Sequence, residues 1–307
     1  MTKNGTNYIL ISPVRDEEKY IIQTIESVVG QTITPSKWII VDDASSDRTP
    51  EIIQSYQKRF PWIQMLRINR DTARQPGSPI VNAFNRGYDL VKDGGFDFVV
   101  KLDCDLRFVP AYFEKLLQEF EKDPRLGIGS GIYLEDHGKG WTPVKMPPYH
   151  TAGACKFMRK ECFTQIDGFV AAKGWDTVDE IRAQMRGWQT RHFEELHMYH
   201  LKNEGLGIGF LKTNAMHGEI FYLTGGSKLF FIMKVIHRIV TGRPLFIGGI
   251  MLLYGYLKPL IQKRKRLVSD GEAKFYSNLL NARLLGWSKR QNACFPVVSP
   301  LNGPEIK

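Results

Sequence analysis

No cysteine pair at CxxC spacing occurs in this chain of 307 residues; Cys104, Cys155, Cys162 and Cys294 are scattered. That scatter excludes a zinc ribbon or finger, and it fits reduced thiols in a cytosolic protein. No GxGxxG turn follows the first apolar run and no GxxxxGK[ST] segment occurs. Both absences count against a dinucleotide-dependent dehydrogenase or an ATPase. Nucleic-acid modules show no repeat either, so nucleic acid is not an expected partner. Long hydrophobic runs are missing too: Leu245 to Leu257 is an uninterrupted 13 residues, short of the roughly 20 that cross a bilayer as a helix. Met1 to Gly5 is polar and Tyr8 to Ile11 is too brief for an export segment, so the cytoplasmic side of the membrane is the expected location.

What is present describes a folded enzyme-sized chain. Apolar residues at 43% and charged residues at 24% mark a globular protein, and the length suits one large α/β domain or one domain plus an appendage. The net charge of +10 is uneven, with Lys263-Arg264-Lys265-Arg266 in a row. Net charge cannot choose among nucleic acid, anionic lipid and phosphorylated substrates. A basic cluster beside an apolar stretch favours the membrane.

Apolar runs and helical spacings alternate along the first half. Tyr8 to Ser12 reads as a strand, and Ile21, Ile22, Ile25, Val28 and Val29 recur at helical spacing. Lys37 to Val41 reads as a second strand running into Asp42-Asp43, with a helix entered at Thr49-Pro50. Ile63 to Ile68 is a third strand, with Asn69-Arg70 at its end. Asp97 to Val100 leads to Lys101-Leu102-Asp103-Cys104-Asp105. Pro110 starts a helix with Phe113, Leu116, Leu117 and Phe120 as its buried stripe. This order predicts a mostly parallel sheet covered on both faces, with ligands outside the carboxyl ends of the strands. Alternation puts Asp103 and Asp105 on one side of an extended segment. Two such charges invite a divalent cation carrying phosphate, although surface strands also end in acids.

Ser12-Pro13-Val14-Arg15-Asp16-Glu17, Val41-Asp42-Asp43-Ala44-Ser45-Ser46-Asp47, Asn69-Arg70 and Leu102-Asp103-Cys104-Asp105, taken in order, resemble the inverting nucleotide-sugar glycosyltransferases of family 2, bacterial surface-polysaccharide type, which have the GT-A fold. The resemblance covers roughly residues 8 to 220. It implies a nucleoside-diphosphate sugar donor and Mg²⁺ or Mn²⁺ as cofactor. It implies that Pro13 and Asp16 or Glu17 line the base pocket, with Arg70 beside the nucleotide. Asp43 is the better ribose or base contact, with Asp42 beside it. Asp103 becomes the ribose or metal-shell carboxylate and Asp105 the direct metal ligand. A hard cation accepts such oxygens and lets substrate phosphates complete its shell.

The same resemblance places the catalytic base at the start of a helix. The family pattern is a Glu-Asp pair eleven residues before a glycine; counting back from Gly187 gives Asp176, with Trp175 where the Glu would stand. Asp179 is the second candidate, since it and Glu180 share much of the same helix face. All three could instead be acids at a helix amino terminus. His200 matches a metal-binding histidine of some relatives, or is a buried hydrogen-bonded one. Glu135 to Pro148 reads as an irregular lid or acceptor-contacting loop.

The remaining chain reads as two apolar helices around Arg243-Pro244 within 228–266, suited to in-plane or re-entrant membrane contact, with a buried hairpin or dimer surface as the alternative. A membrane-facing tail suggests a lipid-linked saccharide acceptor. The expected organisation is a catalytic domain over 1–225, with a nucleotide-sugar half to 125 and an acceptor half from 126, then membrane-associating helices over 226–266 and a tail over 267–307. The rival readings are a polyprenyl-phosphate sugar transferase, a nucleotidyltransferase and a non-enzymatic membrane-associated module.

Overall fold

The computed structural model describes residues 5–69, 79–202, 209–242 and 244–284. Arg70, Arg243, Cys294 and the end of the tail lie outside them. The chain packs as two units: Met1–Ala172 with Trp188–Asn203, and Lys173–Gly187 with Glu204–Lys307.

The first unit is built on one sheet. Its strands are β1 (Tyr8–Val14), β2 (Lys37–Asp43), β3 (Ile63–Ile68), β4 (Phe98–Leu102), β5 (Leu106–Phe108), β6 (Leu126–Asp136), β7 (Trp141–Pro143), β8 (Cys155–Arg159) and β9 (Gln189–His200). They lie in the order β3-β2-β1-β4-β8-β6-β9-β5, with β7 paired to β6. From β3 to β4 every pairing is parallel. Beyond β4 the sheet is mixed: β8 runs antiparallel to β4 and β6, while β6 and β9 are parallel. β7 pairs with β6 through Leu134 to Asp136, so part of the 135–148 segment extends the sheet.

Continuous apolar runs make these strands, because both faces are covered. Tyr8, Leu10, Trp38, Ile40, Phe98 and Val100 pack with one set of helices, α1 (Ile21–Val29), α2 (Thr49–Arg59) and α4 (Tyr112–Lys122). Phe113, Leu116, Leu117 and Phe120 form the buried stripe of α4, at the spacing read from sequence. Ile11, Ile39 and Val41 point the other way, onto Gly87 of α3 (Pro79–Asp89). Phe84 of that helix meets Phe163 of α5 (Lys160–Gln165) edge-on, with ring centroids 5.9 Å apart.

One irregularity sets the register of the site. Between Gly131 and Ile132 the partner on β9 jumps from Phe193 to His197. The extra residues bulge out, and the Leu196 carbonyl folds over Gly131, where a Cβ would stand 2.0 Å from that oxygen. Only glycine accepts this approach. After the bulge Leu134 pairs with Tyr199, which brings the next residues, Glu135 and His200, side by side.

The second unit contains α6 (Trp175–Met185), α7 (Phe210–Leu223), α8 (Lys228–Thr241), α9 (Ile247–Ile261) and α10 (Asp270–Leu284). Gly174 starts α6 at φ 86°, a conformation that other residues reach only with strain. α6 is tied to α10 by the Arg182–Glu272 ion pair at 3.1 Å. α8 and α9 are the two apolar helices read from the sequence, and Phe231 stacks on Tyr256 between them at 4.3 Å. Among the described residues no helix is long and apolar enough to cross a membrane.

Candidate active site

The carboxyl ends of β1, β2 and β4 carry the acids singled out in sequence, and the structure gives each a different fate. Asp42 is completely buried. Its Oδ1 accepts the Ser45 N–H at 3.1 Å, and Arg67 Nε stands 3.3 Å from its Oδ2. It holds the β2–α2 loop, whereas Asp43, one residue on, is only half-buried. Asp16, at φ 53°, accepts the Ser46 N–H at 2.7 Å and donates its own N–H to Ser45 Oγ at 3.0 Å. The Ser46 N–H first, then its hydroxyl and Arg15, hold the Asp16 carboxyl below the usual range despite some desolvation. Asp16 thus stitches the loop after β1 to the loop after β2, and Glu17 N–H to Thr49 Oγ1 at 2.9 Å adds a second tie. Pro13 is half-buried where β1 ends.

Asp103 and Asp105 do not lie on an extended strand. β4 stops at Leu102 and the pair sits in the turn into β5, so the alternation argument for their shared side does not hold. Backbone pairing holds them instead: Asp103 N–H donates to Ala154 O and Leu201 N–H to Asp105 O, both at 2.8 Å. Lys101, on the buried last stretch of β4, donates to Asp103 Oδ1 at 2.6 Å and to Gly153 O at 2.8 Å. Desolvation and the nearby Asp105 charge raise the Asp103 pKa even against that lysine.

Because Leu106 pairs with His200, Asp105 meets the end of β9. His200 Nε2 stands 3.5 Å from Asp105 Oδ2, and Nδ1 stands 3.3 Å from Glu135 Oε1. Burial opposes the imidazolium, but the Asp105 contact and the charges of Asp105, Asp103 and Glu135 prevail and raise the His200 pKa. Lys202 reaches Glu17 Oε1 at 2.6 Å. Desolvation, with Asp105 and Asp103 nearby, raises the Glu17 pKa although Lys202 opposes the shift. Among the described residues, the buried Asp42 Oδ2, Asp105 Oδ1 and Glu17 Oε2 have no hydrogen-bond partner, and of the three only Asp42 Oδ2 has a cation against it, Arg67.

These features fit a hard divalent cation. Asp105 offers a buried oxygen with nothing to bind, and a Glu135-held Nδ1–H would leave His200 Nε2 as a ligand. Among the described residues no group of three or more His, Cys, Asp or Glu forms a ready metal cage. The protein would therefore supply two ligands and leave the rest of the shell to phosphate and water.

In the second unit Asp176 lies in the first turn of α6 and is half-buried, while Asp179 and Glu180 are fully buried. Asp179 Oδ1 accepts the Glu180 N–H at 2.6 Å. Of the two base candidates, Asp176 is the more exposed. Sequence reasoning missed Glu135, Lys101 and Lys202, since their roles follow from sheet register and loop return.

A parallel sheet with acids at its carboxyl ends and a mixed extension is the architecture of GT-A glycosyltransferases. The chain matches the model of glycosyl transferase family 2 over residues 9–173, and it belongs to that family. It is 31% identical over 121 residues to the poly-beta-1,6-N-acetyl-D-glucosamine synthase of Staphylococcus epidermidis, covering 38% of this chain and 26% of that protein. It is 32% identical over 111 residues to the chondroitin synthase of Escherichia coli, covering 36% of this chain and 15% of that one. The match thus spans about a quarter or less of these relatives. The fold resembles the mannosyltransferase PcManGT of Pyrobaculum calidifontis, solved with GDP-Man and Mn²⁺ (TM-score 0.53, 14% identity, 93% of this chain and 84% of that one). It also resembles GalNAc-T7, solved with UDP, GalNAc and Mn²⁺ (TM-score 0.59, 13% identity, 92% of this chain and 58% of that one).

Proposed function

We propose that this chain is an inverting glycosyltransferase that moves a sugar from a nucleoside-diphosphate donor to a hydroxyl of a saccharide. Family membership supports this reading, and one observation carries it: the buried, unpartnered Asp105 Oδ1 beside His200 at the strand ends. Asp105 and His200 would hold Mg²⁺ or Mn²⁺. That cation, when bound, neutralises charge on the departing diphosphate. Glu135 fixes the His200 ring. Pro13, Glu17 and Asp43 line the nucleotide side, with Arg70 beside them in the family pattern. Asp103, which accepts from Lys101, would contact the ribose.

Asp176 takes the proton of the acceptor hydroxyl as the anomeric carbon is attacked in line. The division into a catalytic domain over 1–225, membrane-associating helices over 226–266 and a tail over 267–307 is one of role, and it cuts across the two packed units, since 173–187 and 204–225 pack with the helices that follow. Contact with the cytoplasmic face of the membrane through 228–266 is part of this proposal. Leu229, Ile232, Ile236 and Val240 leave one side of α8 exposed, and Lys263 to Lys265 are exposed just past α9. Apolar surface flanked by cations suits an anionic interface and a lipid-linked acceptor.

The test is a panel of nucleoside-diphosphate sugars with Mn²⁺, read as released nucleoside diphosphate. Turnover of one donor by the native chain, lost in Asp176→Asn with donor binding kept, is the expected result. Loss in Asp179→Asn instead would move the base. Absence of turnover with every donor would overturn the transferase reading.

A further inference from the structure

α7 and α8 bring together cations that the transfer chemistry above does not use. Arg238 Nε donates to Asn214 Oδ1 at 3.1 Å, and the buried Asn214 is itself anchored by donating to Phe210 O at 2.8 Å. Lys234 precedes Arg238 by one turn on the same face of α8, with its Nζ 5.8 Å from the centre of the Phe221 ring. His217 falls between Asn214 and Phe221 on the matching face of α7, three residues after one and four before the other. The amino terminus of α6 adjoins the next turn of α7, because Gly174 packs against Ile220 and Thr224. His217 accordingly feels Asp176.

The charge balance there is one-sided. Among the described residues no carboxylate forms an ion pair with Lys234, Arg238 or His217. Desolvation, and then repulsion from Arg238 and Arg283, lowers the Lys234 pKa. Desolvation, with Lys234 and Arg238, lowers that of His217. Lys234, Arg238 and His217 are exposed, so an anion from solution can reach the like charges of Lys234 and Arg238, with His217 beside them. On the helix circle the exposed Leu229, Ile232, Ile236 and Val240 occupy a different side of α8 from Lys234 and Arg238. One helix thus offers a cationic edge and an apolar edge.

We propose that His217, Lys234 and Arg238 form a phosphoryl-binding site beside Asp176, and that the acceptor carries its phosphate or diphosphate there. The inference rests on Asp176 being the base. The phosphoryl group would anchor the acceptor and leave its sugar hydroxyl to Asp176. The apolar edge of α8 would receive a tail where the phosphate belongs to a lipid.

The test is titration of the full-length chain in EDTA, which silences metal-dependent donor binding, with farnesyl diphosphate, inorganic pyrophosphate and farnesol. Lys234→Gln and Arg238→Gln are compared with the native chain, and thermal melting checks that each variant folds. Lys234→Gln removes a charge that makes no hydrogen bond to the described residues, so it keeps the test valid if Arg238→Gln loosens α7. Removing either charge should weaken farnesyl diphosphate binding about tenfold, without changing farnesol binding. Equal binding of pyrophosphate, with the same loss in the variants, upholds the phosphoryl site and assigns it a soluble phosphate source. Native binding that is absent, or unchanged in the folded variants, overturns it. Donor turnover by the native chain tests the transferase reading separately: turnover without a Lys234 effect sinks only the phosphoryl site, and a Lys234 effect without turnover sinks only the transferase.

Discussion

Glu135 is the most informative residue to perturb, because its role depends on fold rather than on any motif. It is only 7% exposed, and it holds His200 Nδ1 through Oε1 at 3.3 Å and His137 Nε2 through Oε2 at 3.3 Å. A carboxylate there keeps the proton on Nδ1, aims the ring and leaves the Nε2 lone pair toward Asp105. Removing such a support costs about 10- to 100-fold in metal affinity, or roughly 1.4 to 2.8 kcal/mol. Glu135→Gln retains an acceptor oxygen and is expected near the tenfold end. Glu135→Leu retains none and should approach a hundredfold. The assay is calorimetric titration of Mn²⁺ into the metal-free chain at pH 7.5, with melting curves confirming that both variants fold. A folded Glu135→Leu chain that binds Mn²⁺ within twofold of native would refute the argument, provided that His200→Ala loses binding.

Three further outcomes are expected. Asp105→Asn should abolish metal-dependent donor turnover while the melting temperature at pH 8.5, where the Asp105–His200 attraction has faded, stays the same or rises, because a carboxylate with a buried unpartnered oxygen is removed; normal turnover would exclude Asp105 as a ligand. His200 has a raised pKa, so in the metal-free chain its contribution to stability is complete below the unfolded value of about 6.5 and is lost as pH rises through the folded value. The melting-temperature gap between native and His200→Asn chains should therefore shrink from pH 5.5 to pH 8.5, and a widening gap would reverse the assignment. Ile236→Glu should weaken binding to anionic vesicles at least tenfold, since burying an isoleucine contributes about 1.5 to 3 kcal/mol; unchanged vesicle binding with a shift in oligomeric state would identify the face as a dimer surface.

Sequence periodicity carried much of the fold. The runs at Tyr8, Lys37 and Ile63 are legible because strands buried on both faces must be apolar throughout, and the α4 stripe is legible because only one side of that helix packs. α7 was not legible. Its packed side carries Asn214 and Gly218, so the apolar spacing that announces a helix is blurred. The Asp103–Asp105 pair was found by composition, but the geometry inferred for it was not the observed one, since the strand ends before the first acid. Glu135 had no signal at all. Its meeting with His200 is fixed by a bulge at Gly131, and register across a parallel pair joined through a long excursion is not written in local sequence. Arg70, the remaining nucleotide-side residue of the motif reading, lies outside the described residues.

The number of partners each acid has sorts the site better than its position in a motif. Asp16, Asp42 and Asp47 accept backbone N–H groups of the loops after β1 and β2. The other oxygen of Asp42 lies against Arg67, and Asp103 is neutralised by Lys101. Glu17 and Asp105 each keep a buried oxygen that neither a hydrogen bond nor an ion pair from the described residues satisfies. Leaving such an oxygen without a bond costs about 1 to 3 kcal/mol, a cost that the Arg67 charge offsets at Asp42 Oδ2 and that nothing among the described residues offsets at Asp105 Oδ1. That expense is reasonable where a ligand removes it, and Asp105 beside an imidazole is where a cation removes most. Glu17 has a partial remedy in Lys202, which is 44% exposed and can turn aside. The acids that hold the loops and the acid proposed to hold the cation therefore differ in what the fold leaves unfinished.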